Sequence, residues 1–151
     1  MNKDVKLNKY LRLFSLSWKI NKLYEKKFRS ILAELQLTQS EADVLLFLYN
    51  NKLLDTAKDI AEYRALSKSL ISKSVDSLLT RGYLSSEIDP NDKRSIRLKI
   101  EPAAIPIVKK LKSIQKSSTE IISRDITLEE TKVLVRILNK VHRNIADELE
   151  E

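Results

Sequence analysis

The 151-residue chain has no cysteine, one glycine (Gly82), three prolines, one tryptophan and one histidine. The missing thiols exclude disulfides, thiolate metal centres and cysteine redox sensing. His142 alone supplies too few nitrogen ligands for a metal site within one protomer. The longest unbroken apolar run covers residues 44 to 49, far short of the roughly 20 residues needed to span a bilayer. No apolar stretch follows the charged N-terminus, so the expected location is the cytoplasm, without a membrane partner. There is also no glycine-rich phosphate loop and no cysteine or paired-histidine base. The carboxylate pairs Glu41 with Asp43, Asp55 with Asp59 and Glu129 with Glu130 fall on charged faces or helix caps. Neither an enzyme nor a cofactor-binding protein is expected from such a set.

What the chain does have is positive charge and helical periodicity. Twenty-eight Lys and Arg against twenty-one Asp and Glu give a formal charge of +7, which favours encounter with polyanions. The excess is concentrated: residues 1 to 30 carry nine basic and two acidic groups, and residues 67 to 100 carry seven and four. Residues 31 to 66 are net acidic, and residues 101 to 151 balance.

From Leu7 to Leu35, apolar residues recur every three or four positions, except where polar Asn21 fills the expected place, with no Gly or Pro between them, predicting one amphipathic helix roughly 40 Å long. That exceeds what a small domain needs for its own core, so part of the apolar face is expected to meet a partner chain. Thr38-Gln39-Ser40-Glu41 reads as a capping box before a second, buried helix that ends near Asn50 and Asn51. Thr56-Ala57-Lys58-Asp59 opens a short helix of about eight residues. A fresh start at Ser67 puts Ile71, Val75, Leu78 and Leu79 on one face, and Gly82 stops that helix where a left-handed residue is least costly.

The period then switches to two. Leu84, Ser86 and Ile88 alternate on one strand and Ile96, Leu98 and Ile100 on the next, joined by the turn residues Asp89-Pro90-Asn91-Asp92-Lys93. Pro102 and Pro106 lie near the start of a further helix, and Thr127-Leu128-Glu129-Glu130 caps the last one. The order of long helix, helix, two short helices, hairpin, long helix and helix predicts a mainly α (α+β) winged helix-turn-helix. Residues 36–104 form its DNA-binding region, with 1–35 and 105–151 a helical dimerisation region.

The stretch from Ser67 to Leu84 followed by Asp89-Pro90-Asn91-Asp92-Lys93-Arg94 resembles the recognition helix and wing of the MarR family of bacterial transcription regulators. Asp92-Lys93-Arg94 matches the family's Asp-x-Arg wing tip, and Leu37-Thr38-Gln39-Ser40-Glu41 resembles the start of its second helix. The chain departs from the family pattern at Ser86, Glu101 and Ala104, where Arg, Thr and Gly are usual. The resemblance implies a homodimer on a pseudo-palindromic double-stranded DNA operator. It also implies a repressor relieved by a small lipophilic effector.

An α-helix fits the major groove, and a thin basic loop reaches the neighbouring minor groove. The expected DNA-binding residues are therefore Ser67, Lys68, Ser69, Leu70, Ser72, Lys73 and Ser77 on the helix, and Lys93 and Arg94 on the wing. Ser69, Leu70, Ser72 and Ser77 are candidates for base edges and Lys68 and Lys73 for phosphates. Asp92 steadies Arg94 or the turn, and Asp76 is an internal orienter paired with Arg81 or the wing. Lys3, Lys6, Lys9, Arg12 and Lys19 are either simply the solvated face of the first helix or, where two such helices meet in a dimer, an extension of the field that steers DNA. Tyr10, Phe14, Trp18 and Tyr24 are either core or the wall of an effector pocket, and the effector residues stay unknown. Two alternatives remain open: a regulator of this fold without a small-molecule input, and a dimeric protein-interaction module that has lost DNA binding.

Overall fold

The computed structural model describes residues 9–149, with side chains from Leu11 onward. Leu7 at the head of the long apolar stripe therefore lies outside the described residues, as do Lys3 and Lys6. Helix α1 (Lys9–Leu35) is followed by α2 (Gln39–Asn50), α3 (Ala57–Arg64) and α4 (Lys68–Thr80). Strands β1 (Leu84–Ile88) and β2 (Ile96–Ile100) come next, then a single 3-10 turn at Pro102–Ala104, α5 (Ile105–Ile122) and α6 (Leu128–Leu149). No described helix is long and apolar enough to cross a membrane.

Local chemistry sets each boundary. Helix α1 ends in a Schellman motif: Gln36 takes φ 52°, the Gln36 amide bonds the Ala33 carbonyl, and the Leu37 amide bonds that of Leu32. Thr38 and Glu41 form a reciprocal capping box at the start of α2, and Thr56 and Asp59 repeat it for α3. Helix α4 closes on a second Schellman motif, with Gly82 at φ 71°, its amide on Leu79 and the Tyr83 amide on Leu78. The strands pair antiparallel in register, Leu84 opposite Ile100 and Ile88 opposite Ile96. Ile88 and Ile96 keep the expected phase but are exposed, because the hairpin extends past the core that covers Leu84 and Leu98.

Residues up to Ser118 make one unit and those from Thr119 a second. In the first, Phe28 of α1 meets a core built from Val44, Leu45, Ile60, Ile71, Leu78, Leu98, Val108 and Leu111. Each such side chain contributes about 1.5–3 kcal/mol of burial. The first half of α1 stays outside it: Leu11, Leu13, Phe14, Leu16 and Trp18 are all exposed. In the second unit α6 begins on the Thr127–Glu130 capping box and has no buried residue. Its stripe of Val133, Leu134, Ile137, Leu138, Val141 and Ile145 is open to solvent.

Candidate nucleic-acid interface

Helix α4 is divided lengthwise. Ile71, Ser74, Val75 and Leu78 are buried at the spacing of one helical face. Ser74 hydrogen-bonds both the Leu70 carbonyl and the buried Ser40 hydroxyl of α2, which holds the two helices together without a side-chain polar group left unpaired. Lys68, Ser69, Leu70, Ser72 and Lys73 all lie on the exposed side. The Ser67 hydroxyl caps the helix by accepting the Leu70 amide at 3.3 Å.

Ser77 departs from the expected set. Its hydroxyl donates to Glu41 Oε1 of α2 at 2.5 Å, so it serves the α2–α4 contact and not the exposed face. Burial alone would raise the Glu41 pKa. The Ser77 bond, with those from the Thr38 amide and hydroxyl, outweighs that penalty and holds the carboxyl below its ordinary value. The pairing of Asp76 with Arg81 is also corrected. Arg81 reaches back to the end of α1, donating to the Gln36 carbonyl at 2.8 Å and the Leu35 carbonyl at 3.1 Å, and lies over the Tyr83 ring. Carbonyls left open by the α1 terminus attract a guanidinium, whereas Asp76 is exposed.

The wing tip is a series of nested turns. Asp89 closes it by donating its amide to the Ser95 carbonyl at 2.9 Å, and its Oδ1 accepts the Asn91 amide at 2.8 Å. Asp92 Oδ1 accepts the Arg94 amide at 3.0 Å, so Asp92 steadies the turn through backbone. The side chains of Lys93 and Arg94 are exposed and have no partner among the described residues.

A charged group at the base of the wing was not anticipated from the sequence. Arg97 Nε donates to Asp89 Oδ2 at 2.9 Å, and Nη1 lies 3.3 and 3.2 Å from the two oxygens of Asp55. The Asn91 amide bond is the largest influence on Asp89 and, with Arg97, lowers its pKa despite burial. Both carboxylates in turn hold Arg97 in its charged form. In sequence, Arg97 is only the outward residue between Ile96 and Leu98, and its partners lie 8 and 42 positions away.

Of the basic residues on α1, Arg12 and Lys19 are exposed. Phe14 and Trp18 are 73% and 61% exposed, so neither belongs to a core among the described residues. Tyr24 instead stacks on Phe28 with ring centres 6.0 Å apart. It lines a cleft of about 510 Å³ with Ile20, Phe28, Leu46, Asp43 and Arg64. Asp43 and Arg64 form an ion pair of 2.6 Å at this cleft. The Tyr10 side chain lies outside the described ones, as does that of Lys9. His142 is exposed, and no metal-ligand cluster occurs among the described residues.

Residues 35–95 match the profile of the MarR family. The fold recurs in solved structures of low identity. A MarR-family transcriptional regulator from Silicibacter pomeroyi is 23% identical, with a TM-score of 0.75 over 86% of this chain and 87% of that one. S. aureus MepR, as a mutant bound to an oligodeoxyribonucleotide, is 20% identical, with a TM-score of 0.54 over 92% and 99%. Bordetella bronchiseptica BpsR, whose DNA binding is regulated by 6-hydroxynicotinic acid, is 15% identical, with a TM-score of 0.68 over 94% and 98%.

Proposed function

We propose, from the match of residues 35–95 to the MarR family profile, that the chain is a sequence-specific double-stranded DNA-binding regulator of transcription of that family, acting as a cytoplasmic homodimer. The observation that carries this reading is the outward side of α4. Lys68, Ser69, Leu70, Ser72 and Lys73 are exposed there while the opposite side holds the helix rigidly in the core. Lysines supply phosphate contacts, serines and a leucine fit base edges and thymine methyls, and the wing adds Lys93 and Arg94 for the neighbouring minor groove. Ser67 caps the helix and presents its free amides to a phosphate.

Residues 1–35 and 105–151 form the dimerisation region in this reading, and 36–104 the DNA-binding region. The uncovered apolar faces of α1 and α6 support a twofold partner. Two copies of α4 would then enter major grooves about 34–36 Å apart on a pseudo-palindromic operator. The protein acts as a repressor relieved by a small lipophilic effector. The cleft beside Tyr24, Phe28 and Leu46 supports that step, as a cavity of mixed lining in which aromatic and aliphatic side chains meet the Asp43–Arg64 ion pair. An effector that prefers one spacing of the two α4 helices shifts the population away from the DNA-competent form.

Selection of preferred sequences from a random DNA pool tests this function. The expected product is an inverted repeat with a fixed centre-to-centre spacing. A pool with no enriched sequence, together with binding that stays feeble at low salt, would leave an interaction module as the better account.

A further inference from the structure

The wing has no core of its own: Ile88, Ile96 and the whole 90–94 tip are exposed, so something else must fix where Arg94 sits. We propose that Arg97 is the positioning residue of the wing, a clamp that ties the hairpin through Asp89 and Asp55 to the segment entering α3. This rests on the DNA-binding reading above.

Backbone and side chain of Arg97 act together. Thr56 forms an isolated antiparallel bridge to Arg97, and the Leu98 amide donates to the Asp55 carbonyl at 2.7 Å. The guanidinium then crosses from Asp55 to Asp89. Asp89, only 8% exposed, is where the nested wing turns begin. A planar guanidinium with donors fixed in direction sets orientation as well as distance. The chain of contacts therefore runs from the entry of α3, through Asp55, Arg97 and Asp89, to the turn that carries Arg94. The carboxylates also engage the cation from two sides, so Arg97 is committed to the protein and not to phosphate.

Charge and position make opposite predictions for Asp55→Ala, which makes the proposal testable. Removing an acidic group near a polyanion site strengthens DNA binding if only the field matters. Releasing the clamp weakens it. The experiment titrates the full-length protein with its selected operator and with random DNA, using wild type, Asp55→Ala, Arg94→Ala and the double variant at several salt concentrations. Expected is a loss of about fivefold for Asp55→Ala and about tenfold for Arg94→Ala on the operator, the latter being the scale of one good contact. The double variant should lose about tenfold and not fiftyfold, because an unclamped Arg94 has little left to lose. The salt slope should be unchanged in Asp55→Ala and shallower in Arg94→Ala.

Independent, multiplying losses or tighter binding by Asp55→Ala would overturn the clamp while leaving DNA recognition intact. A wild-type chain that selects no DNA would overturn both. Asp55→Asn, which keeps the side-chain volume, replaces Asp55→Ala if urea unfolding shows the latter unfolded. In the free protein, 15N relaxation at residues 91–95 should report faster motion when the clamp is weakened, and an unchanged wing would count against it.

Discussion

Replacing Glu41 by Ala, alone and with Ser77→Ala, examines the joint between α2 and the helix assigned to DNA. Glu41 Oε2 takes the Thr38 amide at 2.7 Å and Oε1 takes the Ser77 hydroxyl. Losing one side of a capping box costs about 1 kcal/mol, and a hydrogen bond to a charged group is worth about 1.5–3 kcal/mol. Glu41→Ala should therefore destabilise by about 2.5–4 kcal/mol and Ser77→Ala by about 1.5–3 kcal/mol. The double variant should fall close to Glu41→Ala, a coupling of about 1.5–3 kcal/mol. The folded pKa lies below the unfolded value near 4.5, so this contribution is fully present above pH 4.5. It is lost as pH falls through the lower folded value. Urea titrations at pH 7 and at several acidic values should show the gap between wild type and Glu41→Ala closing toward acid. Coupling within about 0.5 kcal/mol, the range of independent sites, would mean that the Ser77 bond is not made in solution.

Other expectations concern separate parts of the molecule. Gly82 has φ 71° with open space where a Cβ would lie, so Gly82→Ala should cost about 1 kcal/mol, mainly from the left-handed backbone, as measured by urea unfolding. Arg94→Ala should weaken operator and random DNA alike and lower the salt slope by about 1, whereas Ser72→Ala or Leu70→Ala should matter mainly on the selected sequence. Equal losses on both DNAs for all three variants would reject that division. Trp18, the sole tryptophan, should show blue-shifted emission as protein concentration rises through dimer formation. Leu138→Asp should prevent the shift, and a concentration-independent spectrum would argue against burial of Trp18 at a dimer interface.

Local signals made most of the fold readable. The three Thr-led capping boxes, Gly82 and the change of period after it lie within a few residues of the boundaries they specify, and α2, α3, α4 and both strands follow them. Contacts between distant segments left no such trace. Nothing near Ser77 reveals that Glu41, 36 positions earlier, will accept its hydroxyl, and Arg81 and Arg97 look like any surface arginines until folding brings their acceptors to them. The end of α1 shows the same limit on a smaller scale, for Gln36 takes the left-handed position usually given to glycine. Composition alone would not mark that stop.

The lengthwise division of α4 also bears on how such a protein changes over generations. Its inward residues fix the shape, while Lys68, Ser69, Ser72 and Lys73 contribute little to holding the chain together, and exchanges at such positions usually alter stability by no more than about 0.5 kcal/mol. If that row reads DNA as proposed, new binding preferences are accessible by single exchanges along it, without a compensating repair elsewhere in the molecule.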